Sequence, residues 1–357
     1  MNVLLLILVA LVSTVVLVAV LLWANADHPR DGSEVQVFCK AEAPQLRRGQ
    51  KIKIMTYNVQ FLAGKNYVFF YDIPDFSGGD DTRVDYRDIV STADGIARMI
   101  AGESPDIICF QEIDDGSRRT NYIDQLSILL ERLPSDYSCY TSAFYWRIKF
   151  LPHPKLFGSI GMKTAIISKY KISRTVRRNL PDLPVNIFMR QFYGKKLILQ
   201  AFLPVDDGSQ ISMMSTHLDA FTIGSDIMTK QLNSLRTQLY DLDAKNIPWI
   251  LSGDFNLLPP GQYDKLIESH RSYYNPETEI KDFYEEFMMV PSMEDATGGQ
   301  AEQWYTYFGN DPRLTKPDRT LDYIVYSSRL RLVEGHVRQI DTKHLSDHLP
   351  VVATLEL

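Results

Sequence analysis

Ile250-Leu251-Ser252-Gly253-Asp254-Phe255-Asn256 is the stretch on which the fold turns. The apolar run from Trp249 to Leu251 reads as a short strand, and Gly253 closes it before a carboxylate and a carboxamide two residues apart. At the two-residue period of extended backbone, Asp254 and Asn256 are expected on one side and Phe255 on the other, toward the core. Pro259 and Pro260 bar a helix soon afterwards, which leaves the pair at a rim. A charged acceptor beside a neutral amide suits a bound water or a phosphoryl group. Gly-Asp-x-Asn is also good chemistry for a plain strand-end turn, so this stretch alone does not choose between the two.

The segments on either side extend the pattern. Asp226 to Leu242 is an amphipathic helix feeding the strand, and Gln210 to Ser215 is a strand ending in Thr216-His217. Further upstream, Lys51 to Asn58 alternates and ends on an amide. Asp88 to Ala101 sets Ile89, Ala93, Ile96, Ala97 and Ile100 on one helical stripe, and Asp106 to Glu112 is a buried strand ending on a carboxylate. Between them, residues 61 to 84 carry Gly64, Pro74, Gly78 and Gly79 and read as a long loop over one face. Ile123 to Leu133 is a helix; Gly161 to Ser168, Ile172 to Arg178 and Leu197 to Leu203 are strands; Leu321 to Tyr326, Arg331 to Gln339 and Val351 to Leu355 complete the sheet. Helices alternate with strands at first and hairpins dominate the middle. The expected class is therefore α/β, a four-layered sandwich of two mixed β-sheets flanked by helices, rather than a barrel.

The N-terminus is different in kind. Val3 to Trp23 is apolar apart from Ser13 and Thr14, and Met1 to Ala26 holds no Asp, Glu, Lys or Arg. As a helix it is long enough for a bilayer core of roughly 30 Å. Ala24-Asn25-Ala26 resembles a signal-peptidase site, yet the run lacks a basic n-region and exceeds the roughly 7–15 residues of a cleaved core. Residues 1–26 are thus expected as a retained transmembrane anchor, with a cleaved signal segment and a secreted product as the alternative. Residues 27–50, with Pro29, Gly32, Pro44 and Gly49, read as a linker, and residues 51–357 as the catalytic domain, a monomer. Arg30 and Lys40 lean toward a cytoplasmic C-terminal side, while the signal-like character leans toward an extracytoplasmic one, which is preferred. Cys109 sits in an apolar strand, which leaves a Cys39–Cys139 disulfide open but unsupported.

The net charge of −6 is unevenly spread. From Thr141 to Gln200 twelve basic residues face one acid, Asp182, a local charge of +11 that leaves −17 for the rest of the chain. Such a segment suggests a face for a polyanion or an anionic membrane. It opens with Phe144-Tyr145-Trp146 and continues through Phe150 and Phe157 with Pro152 and Pro154 between them, so residues 144–158 are expected as an aromatic, basic loop that inserts at an interface.

Unusual polar residues gather where strands end or begin: Asn58, Glu112, His217, Asp254 with Asn256, Asp322, and Asp347 with His348. Acid, amide and imidazole with no free nucleophile point to a hard cation and a bound water, and the cysteine pattern does not suggest zinc. Thr56-Tyr57-Asn58-Val59, Gln111-Glu112, Thr216-His217-Leu218, Gly253-Asp254-Phe255-Asn256, Leu321-Asp322-Tyr323-Ile324 and Leu345-Ser346-Asp347-His348-Leu349-Pro350, in that order, resemble the successive motifs of the endonuclease/exonuclease/phosphatase superfamily, the fold of pancreatic-type deoxyribonuclease. The resemblance implies Mg²⁺, with Mn²⁺ as a substitute, held by Glu112 with Asn58 nearby and Asp347 contributing. It implies Asp254 and Asn256 on the attacking water, His348 paired with Asp322, and His217 donating to a phosphoryl oxygen or the leaving group.

One position departs from the abasic-site endonuclease branch, where the residue two past the first Asn is an acid; here it is Gln60. His217-Leu218-Asp219-Ala220 is instead similar to the His-Leu-x-Ala of sphingomyelinases and some phosphoinositide phosphatases. With an anchor and a basic aromatic segment, the expected substrate is a phosphodiester or phosphomonoester borne on a phospholipid or a related small phosphoester. A nuclease acting on DNA or RNA is the alternative, and a catalytically silent adaptor is disfavoured because none of the principal site residues is missing.

Overall fold

The computed structural model describes residues 3–74 and 79–357; residues 75–78, part of the loop expected over residues 61 to 84, lie outside the described residues. In chain order the strands are β1 (Glu34–Val35), β2 (Val37–Cys39), β3 (Lys51–Asn58), β4 (Ile107–Asp114), β5 (Cys139–Leu151), β6 (Gly158–Ser168), β7 (Arg174–Asn179), β8 (Leu197–Pro204), β9 (Gln210–His217), β10 (Trp249–Asp254), β11 (Met288–Val290), β12 (Asp322–Tyr326), β13 (Arg331–Val337) and β14 (Val351–Glu356). They form two seven-stranded sheets, one ordered β1-β7-β8-β9-β10-β12-β11 and the other β13-β14-β3-β4-β6-β5-β2. Both are mixed: β3 with β4 and β9 with β10 pair in parallel, and the remaining neighbours are antiparallel.

Alternation along each strand divides its side chains between two cores. On β3, Ile52 and Ile54 enter the layer between the sheets, whereas Met55 and Tyr57 face α2 (Tyr86–Glu103) and α3 (Gln125–Arg132). On β10, Ile250 points between the sheets, while Trp249 and Leu251 meet Leu232, Leu235 and Leu239 of α4 (Ile227–Ala244). The result is the four-layered sandwich expected from the sequence. Asp85 caps α2 by accepting from the Arg87 amide at 2.7 Å, and Asp124 caps α3 from the Leu126 amide at 3.1 Å. Truncating a fully buried residue such as Ile54 or Ile250 to Ala would cost about 2–5 kcal/mol.

Three expectations need correction. Residues 27–50 are not a free linker: β1 and β2 add an edge to each sheet, Leu46 is fully buried between the sheets, and Cys39 pairs with Cys139 directly opposite it as a disulfide. Residues 144–158 are not one loop: residues 144–151 are the end of β5, and only residues 152–157 are the connection into β6. Tyr145, Ile148 and Leu151 are buried at a three-residue spacing because two register shifts interrupt the alternation, and Phe150 and Phe157 remain outside, edge to face at 4.8 Å. Half of the cations in the +11 segment are paired with acids. Lys163 pairs with Asp115, Lys155 with Asp80, Arg147 with Asp27 at 3.7 Å and Lys169 with Asp136 at 3.2 Å. Arg190 and Lys195 share Asp182, the segment's own acid.

The apolar N-terminal run is α1 (Val3–Asn25), long and apolar enough to cross a membrane, a test that a signal sequence also passes. Its last turn is fastened to the hairpin. The Asn25 Nδ2 donates to the Phe150 carbonyl at 2.7 Å, its Oδ1 accepts from the Phe150 amide at 2.8 Å, and Lys149 Nζ donates to the Ala24 carbonyl at 2.8 Å.

Candidate active site

Strand direction assembles the site. β3, β4, β9 and β10 end at one edge of the sandwich, and β12 and β14 run antiparallel to their neighbours, so they begin there. In register, Asp254 lies beside His217 on one side and Asp322 on the other. Gly253 makes that spacing possible. Its φ is +149°, and a Cβ on it would fall 1.9 Å from the Thr216 carbonyl oxygen. Glu112 reaches the same edge through a register shift between Phe110 and Ile113, with its own backbone left-handed at φ +56°. A bulge that re-aims one side chain is a recurrent device beside active sites, and a non-glycine residue held in this region costs of order 1–3 kcal/mol.

Asp254 is the hub. Its Oδ2 accepts from Asn58 Nδ2 at 3.0 Å and lies 3.5 Å from His217 Nε2 and 3.6 Å from His348 Nε2, while Oδ1 accepts from the Asn256 amide at 2.9 Å. Asn58 also donates to Glu112 Oε1 at 3.0 Å, and its own Oδ1 accepts from the Gln60 amide. The Gln60 N–H requires an oxygen, which fixes the orientation of the Asn58 amide; its nitrogen clasps the two carboxylates together. Among the expected ligands, Asn58 thus sits where it positions Glu112 and Asp254, and Glu112 presents the carboxylate.

His348 Nδ1 meets Asp322 Oδ2 at 2.8 Å, and the edge of the Tyr307 ring packs on the imidazole at 4.9 Å. Asp347 lines the same cavity, its Oδ1 accepting from Ser346 Oγ at 3.2 Å. Asn256 differs from the sequence expectation. The strand ends at Asp254, Asn256 turns left-handed at φ +53°, and its Nδ2 donates to the Leu218 carbonyl at 3.2 Å. Its place at the cavity wall is therefore set by an Asx turn and not by period-two alternation. All the residues singled out in the sequence come together at this edge.

The electrostatics are those of a site built around a cation. Burial, and then the nearby Asp347, pushes the Glu112 carboxyl up. Burial raises Asp254 to about 7 even though His348 opposes it. For His348, burial disfavours the charged form, but Asp322, Asp254 and Asp347 outweigh it and hold the imidazole well above its ordinary range, as imidazolium. His217 goes the other way: burial, with Lys196 and His348 near, keeps it neutral. One ligand atom each from Glu112, His217 and Asp254 fall within 4.8 Å of one another, as do those of Asp254, Asp322 and His348. Of the first set, Glu112 suits a divalent ion as a buried carboxylate crowded by Asp254, and the neutral His217 is left to donate; in the second, His348 is already engaged with Asp322.

Residues 55–348 match the model of the Endonuclease/Exonuclease/phosphatase family. The chain belongs to that family. Members of the Endonuclease/Exonuclease/phosphatase family are divalent-metal-dependent phosphoester hydrolases, and this chain is an enzyme of that class. Solved structures agree on the fold. An endonuclease/exonuclease/phosphatase from Beutenbergia cavernae is 22% identical, with 86% of this chain and 72% of that one covered and a TM-score of 0.57. The human Nocturnin catalytic domain with bound sulfate anion is 20% identical over 90% of this chain and 97% of that one, with a TM-score of 0.51. A family protein from Leptotrichia buccalis is 16% identical, covering 86% and 100%, with a TM-score of 0.55. No curated protein matches the chain by sequence.

Two functional neighbours escaped the sequence reading. The Lys196 ammonium makes no hydrogen bond or ion pair among the described residues; its Nζ stands 4.8 Å from the centroid of the Tyr145 ring, and that ring packs on His217 at 5.4 Å. Burial lowers its pKa, opposed by Asp219, Glu112 and Asp254. In sequence it is one of twelve cations in a segment, and only packing separates it from those with acid partners. Arg119, buried against Asp114 at 2.8 Å and over the Phe61 ring at 3.7 Å, also bears electrostatically on Glu112.

Proposed function

We propose that this enzyme hydrolyses a phosphodiester or phosphomonoester carried on a membrane lipid or a related small phosphoester, with Mg²⁺ as the metal and Mn²⁺ as a substitute. The observation that carries the hydrolytic reading is the arrangement around Asp254, where a carboxylate raised to about 7 stands within 3.6 Å of a charged His348 and a neutral His217. Asp254 orients the attacking water and takes its proton, and Asn256 borders the same space. The His348 imidazolium, held by Asp322, faces a phosphoryl oxygen, and His217 donates through Nε2 toward the phosphoryl or leaving oxygen. Mg²⁺ on Glu112, with Asp347 nearby, would supply charge neutralisation for the phosphoryl oxygens.

The lipid reading draws on two features. Six of the twelve cations of the +11 segment have acid partners, which shortens the open basic track that a nucleic-acid backbone uses. The reciprocal Asn25–Phe150 bonds favour an α1 that is retained as a single-pass anchor and not cleaved at Ala24-Asn25-Ala26. The Cys39–Cys139 disulfide supports an extracytoplasmic catalytic domain, since disulfides persist in oxidising compartments.

The test is a side-by-side assay of the full chain in proteoliposomes with Mg²⁺ on phosphatidylcholine, sphingomyelin, phosphoinositides, plasmid DNA and RNA. Release from at least one lipid, abolished by EDTA, is expected. Faster turnover of DNA or RNA than of any lipid at equal phosphate would replace this reading with the nuclease one.

A further inference from the structure

Beside the metal-binding edge lies a second space, a cavity of about 610 Å³ that shares Glu112, His217 and Asp347 with the polar centre. Its volume is that of a ligand pocket, roughly 300–1,000 Å³. Away from the shared residues its walls are mainly apolar, with Trp146, Leu151 and Leu156 from the β5–β6 hairpin and Leu183, Met189 and Phe192 from the segment between β7 and β8, and its polar lining includes Arg119, Lys196 and Asp219. Phe157, next to Leu156, and Ile187 and Phe188, just before Met189, extend those walls outward as an apolar rim. Ile187 is 72% exposed, Phe188 56% and Phe157 52%, an arrangement that water disfavours.

The rim adjoins the anchor. α1 ends against β5 and against the turn Met189–Phe192, so the same hairpin that walls the cavity is the one to which Asn25 is bonded. A helix crossing a bilayer and ending there would hold the rim at the membrane surface. At the inner end stands the unpartnered ammonium of Lys196, over Tyr145 and beside His217. The cavity thus grades from apolar at the membrane side, through Lys196 and the Asp114-paired Arg119, to the acid-lined centre. That order matches a phospholipid entering with its phosphoester foremost.

Building on the proposed lipid phosphoesterase reading, we infer that this cavity seats an acyl chain of a membrane phospholipid whose phosphoester lies at the Glu112–His217–Asp254 centre. The bilayer that holds α1 delivers the chain past Phe157 and Ile187. Lys196 meets the phosphate at the inner end.

Two measurements on the full chain test this. In the first, kcat/KM with Mg²⁺ is followed on monomeric short-chain phosphatidylcholines of increasing length and on bis(p-nitrophenyl) phosphate. The efficiency on the lipid series is expected to climb by up to about fourfold for each methylene that leaves water. Leu183→Asp, and independently Leu156→Asp on the opposite wall, should flatten that climb and leave turnover of bis(p-nitrophenyl) phosphate close to wild type. In the second, Trp146 reports occupancy without catalysis. With EDTA present, the difference in fluorescence between wild type and Trp146→Phe should lose most of its intensity in vesicles of acyl-brominated phosphatidylcholine, and retain it in unbrominated ones. Lipid hydrolysis with no chain-length dependence and no quenching of Trp146 would overturn the acyl seat alone. Absence of lipid hydrolysis with Trp146 still quenched would overturn the substrate reading and keep the seat, and absence of both would remove both.

Discussion

Two neighbouring spaces share His217, and they are built in opposite ways. The acid-lined centre is made from strand ends whose register is fixed on both sides, so Asp254, Asp322 and His217 have little freedom to differ from where they stand. The apolar cavity is walled by a hairpin and by a segment with little regular structure, and its shape depends on side chains meeting across it. Chemistry in this enzyme is placed by backbone pairing, and the adjoining cavity by packing. Perturbations should therefore separate the two.

The largest effect is expected at the centre. Asp254→Ala and His348→Ala should each lower kcat by about 10³-fold, the scale of losing a proton acceptor or a preorganised charge. The loss should be equal on soluble and lipid esters, with the far-ultraviolet spectrum unchanged. A loss confined to lipids would break the division between the spaces. Cys39→Ser comes next. It releases the edge strand β2 from β5, the strand that walls the cavity, and should reduce unfolding free energy by about 2–4 kcal/mol in urea titrations without changing turnover of bis(p-nitrophenyl) phosphate.

Lys196→Ala sits at the junction and sharpens the comparison. Removing one charged hydrogen-bond donor to phosphate should lower kcat/KM by about 10- to 100-fold on every phosphoester, and Lys196→Arg should recover part of it. Equal activity in Lys196→Ala would place the ammonium outside the reaction. The last effect is on stability, at a buried carboxylate paired with His270 on the wall of the acid-lined cavity. Burial pushes the Asp311 carboxyl up, but hydrogen bonds from Arg313 and His270 prevail and hold it at about 2, below its ordinary value. A depressed acid stabilises the fold above its unfolded pKa and loses that contribution as pH falls through the folded one. Asp311→Asn at this buried position should therefore cost about 1–2.5 kcal/mol at pH 6 to 8, with the deficit shrinking below pH 4 and gone near pH 2. A deficit that grows on acidification would reverse the sign.

Particular residues show how far reading the chain alone reaches. Ile52, Ile54 and Ile250 alternate with partners facing the other way, which made both sheets and their order along the chain legible. Glu112, His217, Asp254, Asp322 and His348 were legible for the same reason, since each sits where an apolar run stops or starts. Asn256 reaches the cavity of Asp254 by a route that alternation does not foresee, because a left-handed turn interrupts it at Asp254. Residues 144–158 were misread because aromatic and basic residues look alike on an insertion loop and on a long amphipathic hairpin.

Local periodicity and backbone chemistry, which depend on neighbours a few residues away, determined the apolar helix, the sandwich and the set of residues that meet at its edge. Only the tertiary structure decided that Cys39 faces Cys139, that Lys163 and Lys155 find acids while Lys196 does not, that Asn58 turns its nitrogen to two carboxylates, and that α1 ends beside an apolar cavity. Each of these is a choice of partner across tens to hundreds of residues. Burial and geometry make that choice, because a charge, a thiol or an amide has the same local preferences whichever partner it meets.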